Sequence, residues 1–266
     1  MDVALVGCGA IGSALLKGWL TQQDSHSRFK SFWVVAPHAE RVDPFLDDHR
    51  VMWCRTPEYL PGKPDVIVFA IKPFQLDKVL PHYKEFDSLI ISVASGKRLA
   101  FIETFFSEGQ AIVRAMPNTP VSIHQGVIGL LGNQHLTPDQ KLMVETCFNG
   151  LGYCPWLTSD VDIDKMTALS GSGPAYVFLM IEALSKAGVE LGIDPQTSLS
   201  LAIQTFVGAS LYAQQADVPP EVLRERVTSP HGTTSAALAI FEKYGLTKLI
   251  EAAVEAAFIR AKELGK

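Results

Sequence analysis

The sequence predicts an α/β domain followed by an all-α domain. In the first half of the 266-residue chain, short apolar runs alternate with amphipathic segments, which is the pattern of a parallel sheet with crossover helices. After about Leu157, long helical patterns replace the strands. We therefore predict a domain boundary between residues 157 and 158, with domains at 1–157 and 158–266.

Several apolar runs of the first half are continuous rather than alternating, as is typical of strands covered on both faces. The predicted strands are Val3–Val6, Phe32–Ala36, Val51–Cys54, Val66–Ile71, Leu89–Ala94, Ala111–Ala115 and Val127–Leu131. A helix over Thr137–Asn149 follows, with Thr137 as its cap and Pro138 at its first position. Gly152–Trp156 is a candidate for a last strand.

The second half is predicted to be helical throughout. The helices are Asp160–Leu169, Pro174–Leu191, Pro195–Gln214, Pro220–Val227, Thr233–Tyr244 and Thr247–Leu264. The helix from Pro195 is apolar on most of its circumference, so it must be enclosed on several sides. A small helical domain achieves this best by pairing with a second copy. We therefore expect a homodimer through the C-terminal helices.

Composition excludes several classes of function. The net charge of -5, without any sustained basic stretch, gives no indication of a nucleic-acid partner. The four cysteines show no metal or redox spacing, which predicts reduced thiols in a cytoplasmic protein and no metal site. The most apolar stretch, Ser198–Ala213, is shorter than a membrane span of about 20 residues. The first strand follows Met1 directly and leaves no room for a signal peptide, so we expect neither a membrane nor an exported location.

The first predicted strand runs into a GxGxxG segment that opens the amphipathic helix Ser13–Gln22. In this pattern the first glycine permits a tight turn, the second lets the backbone approach a pyrophosphate, and the third lets helix and strand pack closely. The phosphate charge then meets the positive end of the helix. This context favours a Rossmann-type dinucleotide site over a merely structural turn. The predicted nucleotide residues here are Gly7, Gly9, Ala10, Ile11 and Gly12.

The end of the second strand indicates which dinucleotide is bound. An NAD site usually carries a carboxylate there for the ribose 2′-hydroxyl. The strand Phe32–Ala36 is followed instead by Pro37 and His38, with Arg41 close behind. His38 and Arg41 could face a 2′-phosphate, so NADP(H) is favoured. NAD(H) stays open because Glu40 lies beside Arg41, and a solvated Arg41 is the plain alternative.

Two turns in the second half each open a helix: Ser170–Tyr176 and Ser229–Thr234. Such turns present successive backbone N–H groups and can hold a small carboxylate. Taken singly, each is more often a simple helix cap.

Five segments occur in one order along the chain: GxGxxG, A-x-K-P, M-P-N-T-P, S-G-S-G-P-A-Y and S-P-x-G-T-T. Together they resemble the pyrroline-5-carboxylate reductase family. The resemblance implies an α/β N-terminal Rossmann-type domain and an all-α C-terminal dimerisation domain, with further assembly of dimers in some members. It also implies the reduction of Δ1-pyrroline-5-carboxylate, a carboxylated cyclic imine, to L-proline with NAD(P)H, in the last step of proline biosynthesis.

The resemblance assigns roles by motif position. Ala70, Lys72 and Pro73 would lie on the nicotinamide side, and Asn118 would bind the cofactor. The substrate residues would be Ser172, Gly173, Gly232 and Thr233, with Thr234 as the catalytic hydroxyl near the ring nitrogen. His231 departs from the family, which usually has glycine at that position.

Other interpretations remain. One is a broader imine reductase or a β-hydroxyacid dehydrogenase, which shares the two-domain plan. The dehydrogenase needs a lysine on the first long helix of its second domain, and residues 171–185 contain none. Another is a degenerate relative that binds NADP(H) without turnover.

Overall fold

A computed structural model describes residues 1–22 and 29–265. It divides into two compact units, one formed by Met1–Ser172 with Ala257–Lys266 and the other by Gly173–Ala256. The first unit is built on a sheet and the second is helical, which confirms the predicted fold class. The boundary between the two compact units lies after Ser172. The predicted boundary between a nucleotide-binding and a substrate-binding domain, after residue 157, stays a prediction.

The described residues of the first unit form eight strands in the order β3-β2-β1-β4-β5-β6-β7-β8. Their bounds are β1 Asp2–Val6, β2 Ser31–Val35, β3 Val51–Cys54, β4 Val66–Phe69, β5 Leu89–Ser92, β6 Ile112–Pro117, β7 Gly126–Gly132 and β8 Gly152–Tyr153. Strands β1 to β6 pair in parallel, and the order reverses between β1 and β4. Ligands of open α/β sheets bind beyond the carboxyl ends of the strands at such a reversal.

Strand β7 departs from the predicted parallel sheet, since it pairs antiparallel with β6. The connection over residues 118–125 is too short for a parallel crossover, which needs about a dozen residues or more. It turns through a short 3₁₀ helix, Thr119–Ile123, and through His124 at φ 60°.

The described helices are α1 Ala10–Thr21, α2 Leu76–Val79, α3 Leu99–Glu103, α4 Pro138–Phe148, α5 Asp160–Met166, α6 Gly173–Glu190, α7 Pro195–Gln215, α8 Pro220–Arg226, α9 Thr233–Lys243 and α10 Leu246–Leu264. The predicted cap Thr137 accepts a hydrogen bond from the Gln140 N–H, with Pro138 following it. Among the described residues, no helix combines the length and apolar character that crossing a membrane requires.

Both faces of the sheet are covered, as the continuous apolar runs predict. Val3 and Leu5 of β1 belong to one core cluster, which includes Trp19 of α1. Ala4 and Val6 belong to the cluster on the other face. The sequence predicts helices in the connections between the parallel strands. Two of these helices are short, since α2 has four residues and α3 has five. Prolines stand in the first turn of several neighbouring 3₁₀ helices, where a missing N–H breaks no helical hydrogen bond.

Candidate active site

A cleft of about 620 Å³ lies in the first unit at the carboxyl ends of the strands. Its volume falls within the range of roughly 300–1,000 Å³ that ligand pockets occupy. It lies next to the reversal of strand order between β1 and β4, where a nucleotide is expected. The structure brings these predicted residues together in its lining: Gly7, Gly9, Ala10, Ile11, His38, Arg41, Ala70, Lys72, Pro73 and Asn118.

The glycine turn has the geometry that the motif predicts. Gly7 adopts φ +96°, and a Cβ there would lie 2.7 Å from the Ala70 carbonyl oxygen. Gly9 caps α1 without any side-chain hydrogen bond. The first N–H groups of the helix therefore have no intrahelical acceptor and can bind an anion.

Gly12 lies behind the cleft rather than in its lining. A Cβ on Gly12 would collide with the Gly7 carbonyl oxygen and would lie 3.3 Å from the Ala70 Cβ. This residue therefore lets α1 pack against the turn, which is the role that the third glycine of the motif predicts.

Arg41 lies beside the glycine turn. Its Nη1 is 3.7 Å from the point where a Cβ on Gly9 would stand. Its backbone carbonyl accepts a hydrogen bond from the buried Cys8 thiol at 3.3 Å. Burial raises the pKa of Cys8 despite the nearby Arg41 charge, so the thiol stays neutral near pH 7. His38 and Arg41 are both exposed, and no carboxylate follows directly on β2.

Asn118 has contacts that the sequence does not predict. Its Nδ2 donates to the Ser170 carbonyl at 2.9 Å, and its Oδ1 accepts from the Val127 N–H at 2.9 Å. The residue is buried. The amide therefore ties the end of β6 to residue 170 and to β7. One N–H of the amide is left for the predicted contact with the cofactor, which stays a prediction.

The turn that contains Ser170 is a direct continuation of the preceding helix, which the sequence does not predict. Helix α5 continues through a π-helical turn, Thr167–Gly171, and the Ser172 N–H donates to the Thr167 carbonyl at 2.9 Å. That N–H is therefore used within the turn, and a substrate contact by Ser172 would fall to its hydroxyl. Gly171 lines the cleft at the end of this turn.

A buried charged cluster was missed from the sequence. Arg114 of β6, with its side chain 2% exposed, donates to Asp160 and lies 3.6 Å from the Asp164 carboxylate. The available signal was an arginine inside the apolar run of a buried strand. Burying such a charge requires a partner, although the sequence does not indicate which carboxylate supplies it.

The second turn lies in the second unit, where Gly232 caps α9. The Gly232 N–H donates to the Ser229 carbonyl at 3.0 Å, so it is not open to a ligand. A Cβ on Gly232 would collide with the Ser229 Oγ, which explains the glycine. The N–H groups of Thr233 and Thr234 have no acceptor within the helix. Thr234 is half-buried, whereas Thr233 is exposed.

His231 is exposed and adopts φ 60°, the left-handed conformation that glycine accepts without strain. This conformation costs an L-residue about 1–2 kcal/mol, whereas glycine costs about 0.5–1 kcal/mol in chain entropy. We therefore expect His231→Gly to stabilise the protein by up to about 1 kcal/mol. His231→Val should destabilise it, since a β-branched residue rarely adopts this geometry. Urea unfolding measures both.

His49 is the matched control, since it is exposed and is not among the described residues with positive φ. His49→Gly relieves no strain and should lower the free energy of unfolding. Equal losses in the two glycine variants would contradict the assigned strain at His231.

Two family models match the chain. Residues 160–264 match the pyrroline-5-carboxylate reductase dimerisation model, and residues 2–96 match a model described as NADP oxidoreductase, coenzyme F420-dependent. Pyrroline-5-carboxylate reductase of Pseudomonas aeruginosa is 33% identical, covering 99% of this chain and 97% of its own length. That of Synechocystis is also 33% identical, over 100% of this chain and 99% of its own.

Solved structures agree with these sequence matches. The Coxiella burnetii pyrroline-5-carboxylate reductase has a TM-score of 0.89 at 35% identity, covering 99% of this chain and 98% of its own. The Plasmodium falciparum pyrroline carboxylate reductase, solved with NADP bound, has a TM-score of 0.88 at 29% identity, covering 100% and 98%. The predicted resemblance is confirmed, and the chain belongs to the pyrroline-5-carboxylate reductase family.

Proposed function

We propose that this protein reduces Δ1-pyrroline-5-carboxylate to L-proline with NADPH, the last step of proline biosynthesis. The observation that carries the proposal is the cleft whose glycine turn lies beside Arg41, in a chain of this family.

The residues of the cleft fit a dinucleotide. A Cβ at position 7 would lie 2.7 Å from the Ala70 carbonyl oxygen, and one at position 12 would collide with the Gly7 carbonyl oxygen. At position 9, a Cβ would lie 3.7 Å from Arg41 Nη1, on the side that faces the cleft. Gly7 and Gly12 therefore allow the turn to pack closely, and Gly9 leaves its backbone open to a group that approaches it, as a pyrophosphate does. Gly9, Ala10 and Ile11 would hold it at the start of α1. Arg41 and His38 would hold a 2′-phosphate, so NADP(H) is preferred and NAD(H) is the weaker cofactor.

The second unit supplies groups suited to a carboxylated imine. The open N–H groups at the start of α9, including that of Thr233, would hold the carboxylate, and the turn around Gly232 shapes their approach. No hydrogen-bond partner for the Thr234 hydroxyl lies within the described residues, so it is available to the ring nitrogen. Ser172 and Gly173 complete the proposed substrate residues. A Cβ on Gly173 would meet no atom within 4 Å.

The chemistry requires no covalent nucleophile. The imine carbon would accept a hydride from NADPH, which is the chemistry that this cofactor supplies when bound. Addition at that carbon moves the π electrons of the C=N bond onto nitrogen, so the nitrogen must carry a proton beforehand. A neutral threonine hydroxyl is too weak an acid to be the primary proton source near pH 7, so Thr234 orients the iminium N–H or relays a proton from water. The chain's other task is to hold the reacting atoms in line.

The assay for this function is the oxidation of NADPH and NADH by the purified protein, with pyrroline-5-carboxylate added or omitted. The expected result is substrate-dependent oxidation, faster at low concentrations of NADPH than of NADH. An imine without a carboxylate serves as the second substrate and should react far more slowly. Absence of substrate-dependent oxidation with either cofactor would overturn the proposal.

Arg41→Ala should change the choice of cofactor. A charged hydrogen bond is worth about 1.5–3 kcal/mol, so we expect KM for NADPH to rise roughly 10- to 150-fold. The KM for NADH should stay nearly constant, because it has no 2′-phosphate. Arg55→Ala is the control, since Arg55 is exposed at the end of the neighbouring strand but does not line the cleft. An equal rise in KM for NADPH and for NADH would show that Arg41 does not bind the 2′-phosphate.

We also propose that the protein forms a homodimer through its C-terminal helices. Measuring the mass in solution will show whether the dimers assemble into larger oligomers. The support for the homodimer is the match to the dimerisation model and the many large apolar side chains that α6 and α7 expose in the described chain. These are Val177, Phe178, Leu179, Met180, Leu184, Val189, Leu199, Leu201, Ile203, Val207, Leu211 and Tyr212. Sedimentation equilibrium should give twice the chain mass of 29.0 kDa or a multiple of that value.

We also propose a cytoplasmic location. All four cysteines, Cys8, Cys54, Cys147 and Cys154, are free, as is usual in a reducing compartment.

A further inference from the structure

Arg114 connects strand β6 to helix α5 across 46 residues of sequence. Its guanidinium donates through Nη1 to Asp160, and its Nη2 lies 3.6 Å from Asp164 Oδ1. The two carboxylates are one helical turn apart, so a single planar cation contacts both. Asp160 also accepts the Leu99 N–H at 3.4 Å, which adds the start of α3 to the same cluster.

The same face of β6 holds the following turn at a second point. Side chains alternate along a strand, so Arg114, Met116 and Asn118 share one side of the chain. Asn118 donates to the Ser170 carbonyl at 2.9 Å, and the Met116 Cε lies 3.5 Å from the point where a Cβ on Gly171 would stand. One face of β6 therefore contacts residues 160–171 at their beginning and at their end.

Within residues 160–172 each part is bonded to the next. The Thr167 hydroxyl donates to the Ile163 carbonyl at 2.7 Å, and the Ser170 hydroxyl donates to the Met166 carbonyl at 2.9 Å. The Ser172 N–H closes the π-turn on Thr167. A displacement of α5 would therefore move Gly171, which lines the cleft, and the residue at which the chain leaves the first unit.

Stability alone gives a poor account of this cluster. Buried ion pairs are often no more stable than apolar side chains of the same volume. Here one cation faces two carboxylates, and in the described parts of the chain Arg114 Nε and Asp164 Oδ2 have no hydrogen-bond partner. What the cluster provides, and apolar packing would not, is a fixed direction for α5 relative to β6.

We propose that Arg114, held by Asp160 and Asp164, is a positioning residue for hydride transfer, because it fixes the turn that ends in Gly171 against the cofactor cleft. The inference rests on the proposed reductase activity. It predicts an effect on kcat and little effect on the affinity for NADPH, since Arg114, Asp160 and Asp164 do not line the cleft that the glycine turn and Arg41 line.

The variants are Arg114→Met, Arg114→Lys and Asp164→Asn. Arg114→Met removes the charge and both contacts, whereas Arg114→Lys keeps the charge but can direct fewer donors. Asp164→Asn keeps the shape and removes one carboxylate, so it serves if Arg114→Met does not fold. Arg50→Met is the matched control, because Arg50 donates to Asp48 at 2.9 and 2.7 Å in the same unit and does not line the cleft.

For each folded variant, three quantities are measured: kcat with pyrroline-5-carboxylate, Kd for NADPH without substrate, and hydrogen exchange of the amides of residues 167–172. We expect kcat to fall about tenfold or more in Arg114→Met, as misplacement of reacting groups does. The fall should be smaller in Arg114→Lys and in Asp164→Asn. Kd should stay within about twofold of the parent, and exchange at 167–172 should rise. In Arg50→Met all three should match the parent.

The inference is overturned if kcat falls no further in Arg114→Met and Asp164→Asn than in Arg50→Met. It is equally overturned if Kd for NADPH rises in proportion to the fall in kcat, since the whole cleft would then be disturbed. An inactive parent protein would count against the proposed reductase function. In that case unchanged exchange at 167–172 in the variants would still refute the positioning role, and raised exchange with unchanged Kd would support it.

Discussion

Gly12→Ala should lower the affinity for NADPH by roughly 10- to 150-fold, which corresponds to the loss of one charge-assisted hydrogen bond worth about 1.5–3 kcal/mol. The added Cβ would collide with the Gly7 carbonyl oxygen, which is backbone and cannot rotate away. The start of α1 must then move from the turn. The N–H groups of Gly9, Ala10 and Ile11 would no longer converge on one phosphate.

The control for this prediction is Gly18→Ala, in the same helix. A Cβ on Gly18 would lie 2.6 Å from Leu151 Cδ2 and 2.7 Å from the Val121 carbonyl oxygen, away from the cleft. It should lower the free energy of unfolding, as overpacking does by about 1–3 kcal/mol, and leave Kd for NADPH unchanged. Fluorescence titration of the folded proteins separates the two. Equal NADPH affinities in Gly12→Ala and the parent would refute the packing role of Gly12.

The glycine turn is the part of the cleft that the sequence predicts best, because glycine spacing reports backbone geometry directly. The collisions at Gly7 and Gly12 are local, within a few residues or with the adjacent strand end at Ala70. The sequence predicts the start of α1 at Ser13, three residues after its actual start at Ala10, because Gly9 caps the helix without a polar side chain. The strands were predicted well for a related reason, since burial on both faces leaves continuous apolar runs.

Features that depend on distant contacts were not predictable. The reversed direction of β7 follows from the length of its connection, which periodicity does not report. The partner of Arg114 is 46 residues away, and the carbonyl that Asn118 binds is 52 residues away. The π-turn at Thr167–Gly171 extends α5 where glycine and serine suggested a break. The π-turn contacts β6 and accepts a hydrogen bond from Asn118, and local propensity does not report such tertiary contacts.

Thr234→Ala should lower kcat/KM for pyrroline-5-carboxylate by about 100-fold, at the lower end of what a positioned proton-transfer group contributes. Thr234 is the second residue of α9 and is half-buried. Its backbone N–H remains in the alanine variant, so binding of the substrate carboxylate is kept and the loss should appear mainly in kcat. Thr234→Ser keeps the hydroxyl and should keep most of the activity. Kd for NADPH should not change, because the cleft belongs to the first unit.

Thr247→Ala is the matched control, because Thr247 is likewise the second residue of its helix, α10, and is exposed. It carries the same change in helix propensity and the same loss of one hydroxyl, so it isolates the chemistry from the stability of a helix start. Steady-state kinetics on both variants, with unfolding measured in parallel, show whether the loss of activity comes from the missing hydroxyl or from a weaker helix start.

If Thr234→Ala keeps the kcat/KM of the parent, the hydroxyl has no part in the reaction. The α9 turn would then serve only to hold the carboxylate, and protonation of the imine would have to occur in solution before binding. In that case kcat/KM would fall as pH rises, in proportion to the fraction of protonated substrate. The pH profile would be the same in the parent and in the alanine variant.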